Sequence, residues 1–235
     1  MFKLNANLMV TDQIFELIYD TGFYLNILCL IAGFILFRFH KRKDLIILVY
    51  LLFSIVFDYL NENVREWFDV DTNYHVNNLW TIVEFFILAI FYLCVKDFKK
   101  FKIYQILFAF LFIVLVFIVF ISLKSIYEFD NINKIYSALY FSISSIVLYY
   151  LFLKDVRVHL LKSSLFWQNT GIFIYFTGNI MVFLTIDYMF SSDFSFTMTG
   201  WTIHNVLSIV KTLCFMNGFY KNKGYPDKLR YPRST

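Results

Sequence analysis

Apolar residues run along this chain in stretches of about twenty, separated by short polar segments. Crossing a ~30 Å hydrocarbon layer takes about 20 mostly apolar residues. Seven stretches meet that requirement: 20–38, 45–62, 77–95, 103–123, 134–153, 166–189 and 199–219. With their short connections they use nearly all of the chain. The pattern predicts an all-α bundle of seven transmembrane helices forming a single membrane domain over 1–235, with 220–235 as a basic tail. The first 19 residues carry no basic start, apolar run and small-residue cleavage site in that order, so no signal peptide is expected.

Within the last stretch the pattern changes. Trp201, His204, Asn205, Ser208, Lys211 and Thr212 fall at the spacing of one helix face, while Ile203, Val206, Leu207, Ile209 and Val210 fill the rest. Lys211 sits about 12 residues in from the near end, or ~18 Å at 1.5 Å per residue. A charge at the bilayer centre costs roughly 2.5–3.5 kcal/mol on insertion scales, so such a residue normally faces the bundle interior and finds a partner. Other stretches offer partners. Tyr50, Ser54, Asp58 and Asn61 share a face of the second, and Asn77, Thr81 and Glu84 a face of the third. Tyr136, Tyr140 and Ser144 lie in the fifth, and Asn169, Asn179 and Asp187 in the sixth. Glu84 falls about 10 Å below the surface by the same rise. The expectation is an outward-facing polar cavity between helices two, three, five, six and seven. Lys211 is its floor, Glu84 its counter-charge, and Asp58, Thr81, Tyr140, Asn179, Asp187, Trp201, His204, Asn205 and Ser208 contribute to its lining.

Charge settles the expected orientation. The segments RFHKRKD, KDFKKFK and KDVRVHLLK and the C-terminal tail hold 16 of the 21 Lys and Arg residues. In a seven-span arrangement all four lie on one side. The opposite side carries Lys3, Arg65, Lys124 and Lys134 among acidic segments such as NENVREWFDVD. The positive-inside rule then puts the N-terminus outside and the C-terminus in the cytoplasm, as in a bacterial inner (cytoplasmic) membrane protein, with Trp67, Trp80 and Trp201 near the outer interface. The net charge of +4 is mostly this bias and is no argument for nucleic acid.

Composition adds little more. The chain is 60% hydrophobic and 22% aromatic, against about 45–50% apolar in soluble domains. Its Phe, Asn and Lys content also fits an AT-rich coding bias. Cys29, Cys94 and Cys214 stand singly within spans and read as small apolar fillers.

Short matches recur in order. FDYL (57–60) ends the second stretch and IDYM (186–189) the sixth. LWTI (79–82) opens the third and GWTI (200–203) the seventh. Tyr24-Leu-Asn-Ile matches Tyr140-Phe-Ser-Ile more weakly. They suggest a 3+1+3 parallel duplication in which the featureless fourth stretch is a linker.

The seventh-helix lysine of an N-out bundle resembles, in topology, the retinal-binding opsins. Where microbial opsins have an aspartate four residues before that lysine this chain has Leu207, and NTGIFIYFTGNIMVF lacks their Trp and Pro pocket, so no retinal or other cofactor is expected. The 3+1+3 order is similar to that of sugar and vitamin carriers, but no span here contains their proline hinge. Zinc hydrolysis needs about three converging ligands. His40 and His159 lie in cytoplasmic loops, and a site of His75, His204 and Asp58 or Asp187 has no diagnostic spacing. Ser208 and His204, four apart on one helix, are poorly placed for proton transfer. No HExxH, phosphate loop or nucleophile elbow occurs, so no catalytic or metal residues are assigned. The leading expectation is a sensor or receptor-like module. It would take a small polar ligand or a proton from outside and signal through a separate membrane or cytoplasmic protein. A small-solute transporter is the alternative, and an intramembrane enzyme the third class. Gly171, Gly178 and Gly200 are the candidate hinges of the second half.

Overall fold

The chain folds as seven α-helices in a computed structural model that describes residues 2–39, 41–68, 72–123, 130–154, 160–191 and 194–224. They are α1 (Phe2–Ile35), α2 (Arg42–Phe68), α3 (Tyr74–Cys94), α4 (Lys102–Leu123), α5 (Asn131–Lys154), α6 (Ser164–Ser191) and α7 (Phe194–Gly224). Three short 3-10 turns, at Phe37–Phe39, Lys96–Phe101 and Leu160–Lys162, lie in the connections. Six of the seven, α1 to α6, are long and apolar enough to cross a membrane. The protein is thus an all-α bundle of membrane type. The α7 helix is longer than most of them, and its polar stripe is what lowers its hydropathy. The α1 helix starts far earlier than the apolar stretch at 20, and α7 starts five residues before 199.

Polar side chains set several helix starts. Asp44 accepts the Lys41 backbone N–H at 2.8 Å, one half of a capping box. Asp130 caps α5 by accepting the Asn133 N–H at 3.0 Å, and the Asn133 amide returns a bond to the same carboxylate. Ser163 receives the Phe166 N–H at 3.4 Å ahead of α6.

Successive helices run antiparallel. Asn61 bonds Asn77 and Tyr50 bonds Glu84 between α2 and α3. Tyr149 bonds Thr170 and Ser142 bonds Thr177 between α5 and α6. Two pairs run parallel: α3 with α5, where Phe85 meets Tyr140 and Tyr92 meets Ser145, and α1 with α7, where Gly22 faces Ile209 and Gly33 faces Phe219. The packing order is therefore a closed ring, α1–α2–α3–α5–α6–α7–α1, with α4 outside it against α3 and α5. The alternation gathers the α1/α2, α3/α4 and α5/α6 junctions and the end of α7 at one end of the bundle, the basic end. The opposite, acidic end carries the start of α1 and the α2/α3, α4/α5 and α6/α7 junctions.

Aromatics fill the ring interior and the seam with α4. Phe85, Phe112, Tyr140, Phe141 and Phe176 pack in succession across α3, α4, α5 and α6. The α4 helix touches the ring through one seam, with Gln105, Phe112 and Val119 buried seven residues apart. Much of its remaining described surface, including Ile106, Phe110, Phe117 and Ile121, is exposed. Large apolar side chains are exposed on every helix, a surface that lipid covers and water would not tolerate.

Candidate functional site

The stripe on α7 points into the ring. Thr212, one position past Lys211, has its hydroxyl 2.6 Å from Asn26 Oδ1 of α1 and 3.0 Å from the Ser208 carbonyl, with one proton to give to either. Lys211 is 2% exposed. Its ammonium lies 3.7 Å from the centroid of the Tyr175 ring, so a cation rests on an aromatic face, and donates to Tyr50 Oη at 2.6 Å. Tyr50, with no exposure at all, in turn donates to Glu84 Oε1 at 2.8 Å. The expected pairing of Lys211 with Glu84 therefore takes a different form. A phenol on α2 stands between the two charges and bonds both.

The direction of this chain follows from chemistry. An ammonium has only protons to give and a carboxylate only lone pairs. Tyr50 must accept from Lys211 and donate to Glu84. Charge-assisted bonds are the stronger class, and here two of them meet on one hydroxyl.

Two cavities flank the relay. The first, about 60 Å³, is lined by Lys211, Asn205 and Ser208 of α7, Ser54 and Asp58 of α2, and Tyr19, Gly22, Phe23 and Asn26 of α1. The second, about 40 Å³, is lined by Glu84, Asn77 and Thr81 of α3, Lys134 and Ser137 of α5, Phe176 and Phe183 of α6, and Trp201 of α7. Trp80, Tyr175 and His204 line both and form the wall between them. At about 10–15 Å³ per water, each holds a few waters. Lys211 faces the first and Glu84 the second. Beside the shared His204, each cavity has one carboxylate and one amine: Asp58 with Lys211, and Glu84 with Lys134.

His204 is held in the dividing wall. Asn179, fully buried on α6, donates its amide to the Tyr175 carbonyl at 2.7 Å. That fixes Asn179 Oδ1 as the atom 2.9 Å from His204 Nδ1, so Nδ1 carries a proton. Trp201, Tyr175 and Phe183 pack round the imidazole at 5.6, 5.5 and 6.0 Å between ring centroids.

Of the sequence-derived residues, Lys211, His204, Asn205, Ser208 and Asp58 thus line the first cavity, and Glu84, Thr81, Trp201 and again His204 the second. Asn179 acts through His204. Tyr140 turns the other way, because its hydroxyl donates to Gln105 of α4, the polar residue of that helix's buried seam. Ser144 also bonds Gln105, at 3.2 Å. Asn169 pairs with Tyr92 at 2.8 Å, outside both cavities. The side chain of Asp187 lies outside the described residues, as do His40 and His159. Among the described residues no three His, Cys, Asp or Glu side chains are grouped as metal ligands would be.

Sequence reasoning passed over four contributors. The α1 helix was not expected at the cavity, yet Tyr19 and Asn26 line it beside Asp58. An Asn amid the apolar residues of the first stretch was the available signal. Lys134 was counted as loop charge, but it is buried in the first turn of α5. Tyr175 gave no signal, being one aromatic among many.

Set against known proteins, the chain matches no protein family, no curated protein and no solved structure.

Proposed function

We propose that the protein is a sensor-like membrane module. A small polar ligand or a proton enters its paired cavities from outside and alters the Lys211–Tyr50–Glu84 relay. The relay itself carries the reading. A single buried hydroxyl ties α7, α2 and α3 together through two charge-assisted bonds, so a change of charge in either cavity changes the restraint on three helices. Cavities of about 60 and 40 Å³ suit a very small ligand. The proposed orientation follows the basic end: it faces the cytoplasm of an inner membrane, with α7 as the seventh span. The message passes to a separate signalling protein, since the helices and their short connections leave no effector domain within the described residues.

A test uses the cavities' own reporters. Trp80 and Trp201 line them. Intrinsic fluorescence of the full chain in lipid nanodiscs should change with pH or with small polar solutes, and Lys211→Met should abolish the change. Native mass spectrometry from its own membranes should find a stoichiometric signalling partner. A chain with neither response nor partner contradicts the sensor.

One observation favours the transporter as second reading. Turning the ring by half exchanges α1, α2 and α3 with α5, α6 and α7 and leaves the packing order unchanged, with α4 as the outside linker. This is the order a parallel 3+1+3 duplication needs, and such duplications build central transport sites. Uptake of solute or protons into proteoliposomes, lost in Lys211→Met, would select that reading.

A further inference from the structure

The relay joins two cavities that the wall of Trp80, Tyr175 and His204 otherwise separates. Lys211 opens on one, Glu84 on the other, and Tyr50, which lines neither, is the hydrogen-bonded link. Three facts limit what such a pair of sites can register. Each has room for only a few waters. Each already contains its own acid and base. The link between them is a hydroxyl whose sole adjustable property is where its proton and lone pairs point.

We propose that the ligand of this site is the proton, that Glu84 is the group that takes it, and that Tyr50 reports its arrival to Lys211 in the other cavity. This rests on the reading of the cavities as the functional site, but not on the existence of a signalling partner. The step is a simple one. A hydronium ion in the second cavity gives its proton to the Glu84 carboxylate, forming a neutral carboxylic acid and leaving a water. No bond between heavy atoms changes, and nothing is oxidised or reduced. The neutral acid attracts the Tyr50 hydroxyl less strongly than the carboxylate did. Tyr50 is then free to turn from it, and Lys211 loses a polarised acceptor. The ammonium keeps the Tyr175 face and has Asp58 on its own side as the remaining anion. A proton bound in one cavity is thus converted into a shift of Lys211 toward α1 and α2 in the other.

The titratable groups round the relay come from every ring helix. Lys211 is faced by Tyr19 of α1, Tyr50 and Asp58 of α2, Glu84 of α3 and Tyr175 of α6, with His204 on α7 itself. Glu84 is faced by Tyr50 and Asp58 of α2, Lys134 of α5, Tyr175 of α6, and His204 and Lys211 of α7. His204 is held with Nδ1 protonated against Asn179 and borders both cavities. It shares that position with Tyr175, and as an imidazole it is suited to exchange a proton between them, so its variant belongs in the test.

The experiment is infrared difference spectroscopy of the full chain in nanodiscs during a pH titration. The expected result is a carboxylic-acid carbonyl band that appears on acidification and is missing in Glu84→Gln. A tyrosine ring band should change at the same midpoint and be missing in Tyr50→Phe. In Lys211→Met the carbonyl midpoint should move by at least one pH unit, a tenfold change in proton affinity, because an ammonium two hydrogen bonds away has gone. His204→Gln should leave both bands in place. Incorporating ring-deuterated tyrosine into the wild-type chain identifies the ring band should Tyr50→Phe not fold. Identical spectra for wild type and Glu84→Gln would overturn the proposal, as would a tyrosine band that titrates apart from the carbonyl, or bands lost in His204→Gln. A fluorescence response to a solute without any Glu84 band would leave the sensor standing and remove the proton. Co-titrating bands in a chain without a partner would do the reverse.

Discussion

Tyr50 and Tyr92 allow a controlled comparison of single hydroxyls. Both are fully buried on neighbouring helices, and in both the oxygen joins two side chains. Tyr92 joins neutral partners, Ser145 at 2.7 Å and Asn169 at 2.8 Å. Tyr50 joins charged ones. Hydrogen bonds between helices in membranes are worth about 0.6 kcal/mol on average, because helices separated in lipid find other partners. Bonds to charged groups are worth about 1.5–3 kcal/mol. Tyr50→Phe should therefore destabilise by about 1–3 kcal/mol and Tyr92→Phe by less than half as much, measured by denaturant unfolding in bicelles. Equal losses would mean that Lys211 and Glu84 are satisfied without the phenol. At the same scale, the Asn179 bond predicts the His204 tautomer. Nitrogen-15 NMR of the imidazole should show Nδ1 protonated, and Asn179→Leu should release that preference.

At the scale of helices, α6 and α7 approach closely at two glycines of α6. A Cβ on Gly171 would come 2.9 Å from the Lys211 carbonyl and 3.0 Å from Cys214 Cβ, and one on Gly178 would meet the Leu207 side chain at 2.7 Å. At Gly22, by contrast, the nearest atom is an Ile209 methylene carbon at 3.6 Å, ordinary contact. Overpacking costs about 1–3 kcal/mol, so Gly171→Ala should lower the unfolding midpoint clearly while Gly22→Ala leaves it nearly unchanged. Gly171→Ala should also disturb the Trp201 emission, since α7 must shift where it carries Lys211. These two glycines of α6 thus serve close packing. Their hinge reading came from composition, which cannot distinguish a residue that bends a helix from one that admits a neighbour. The α7 stripe was legible because helical period places its polar residues on one line. Which helices it faces was not, since period gives a face but no neighbour. That is why Tyr50, read only as part of an α2 face, became the link, and why Tyr140 was assigned to the cavity although Gln105 of α4 claims it. Asn26 was missed for the same reason: one polar residue defines no stripe.

For the whole molecule, the sidedness of the bundle is the property on which any account of ligand entry depends. The ring order, the antiparallel alternation and the loop charges all gather Arg42, Lys102, Lys154 and Lys162 at one end. Cytoplasmic loops carry the excess of Lys and Arg, so that end should face the cytoplasm and the Asn73 end should face out. Single cysteines at Asn73 and Ser163 test this directly. Both positions are half-buried at opposite ends of the bundle. The chain's own Cys29 and Cys214 are buried and Cys94 is half-buried, so a Cys94→Ala background removes the one native thiol with appreciable exposure. A membrane-impermeant maleimide added to intact cells should label Asn73→Cys, and should label Ser163→Cys only after the membrane is broken. The second cavity lies toward the Asn73 end, since Asn77 contributes to its lining and is hydrogen-bonded to Asn61 and Asn73. Labelling at Asn73→Cys in intact cells would therefore place Glu84's cavity on the side from which an external proton arrives. The opposite pattern would reverse the source, and the relay would then read the pH of the cytoplasm.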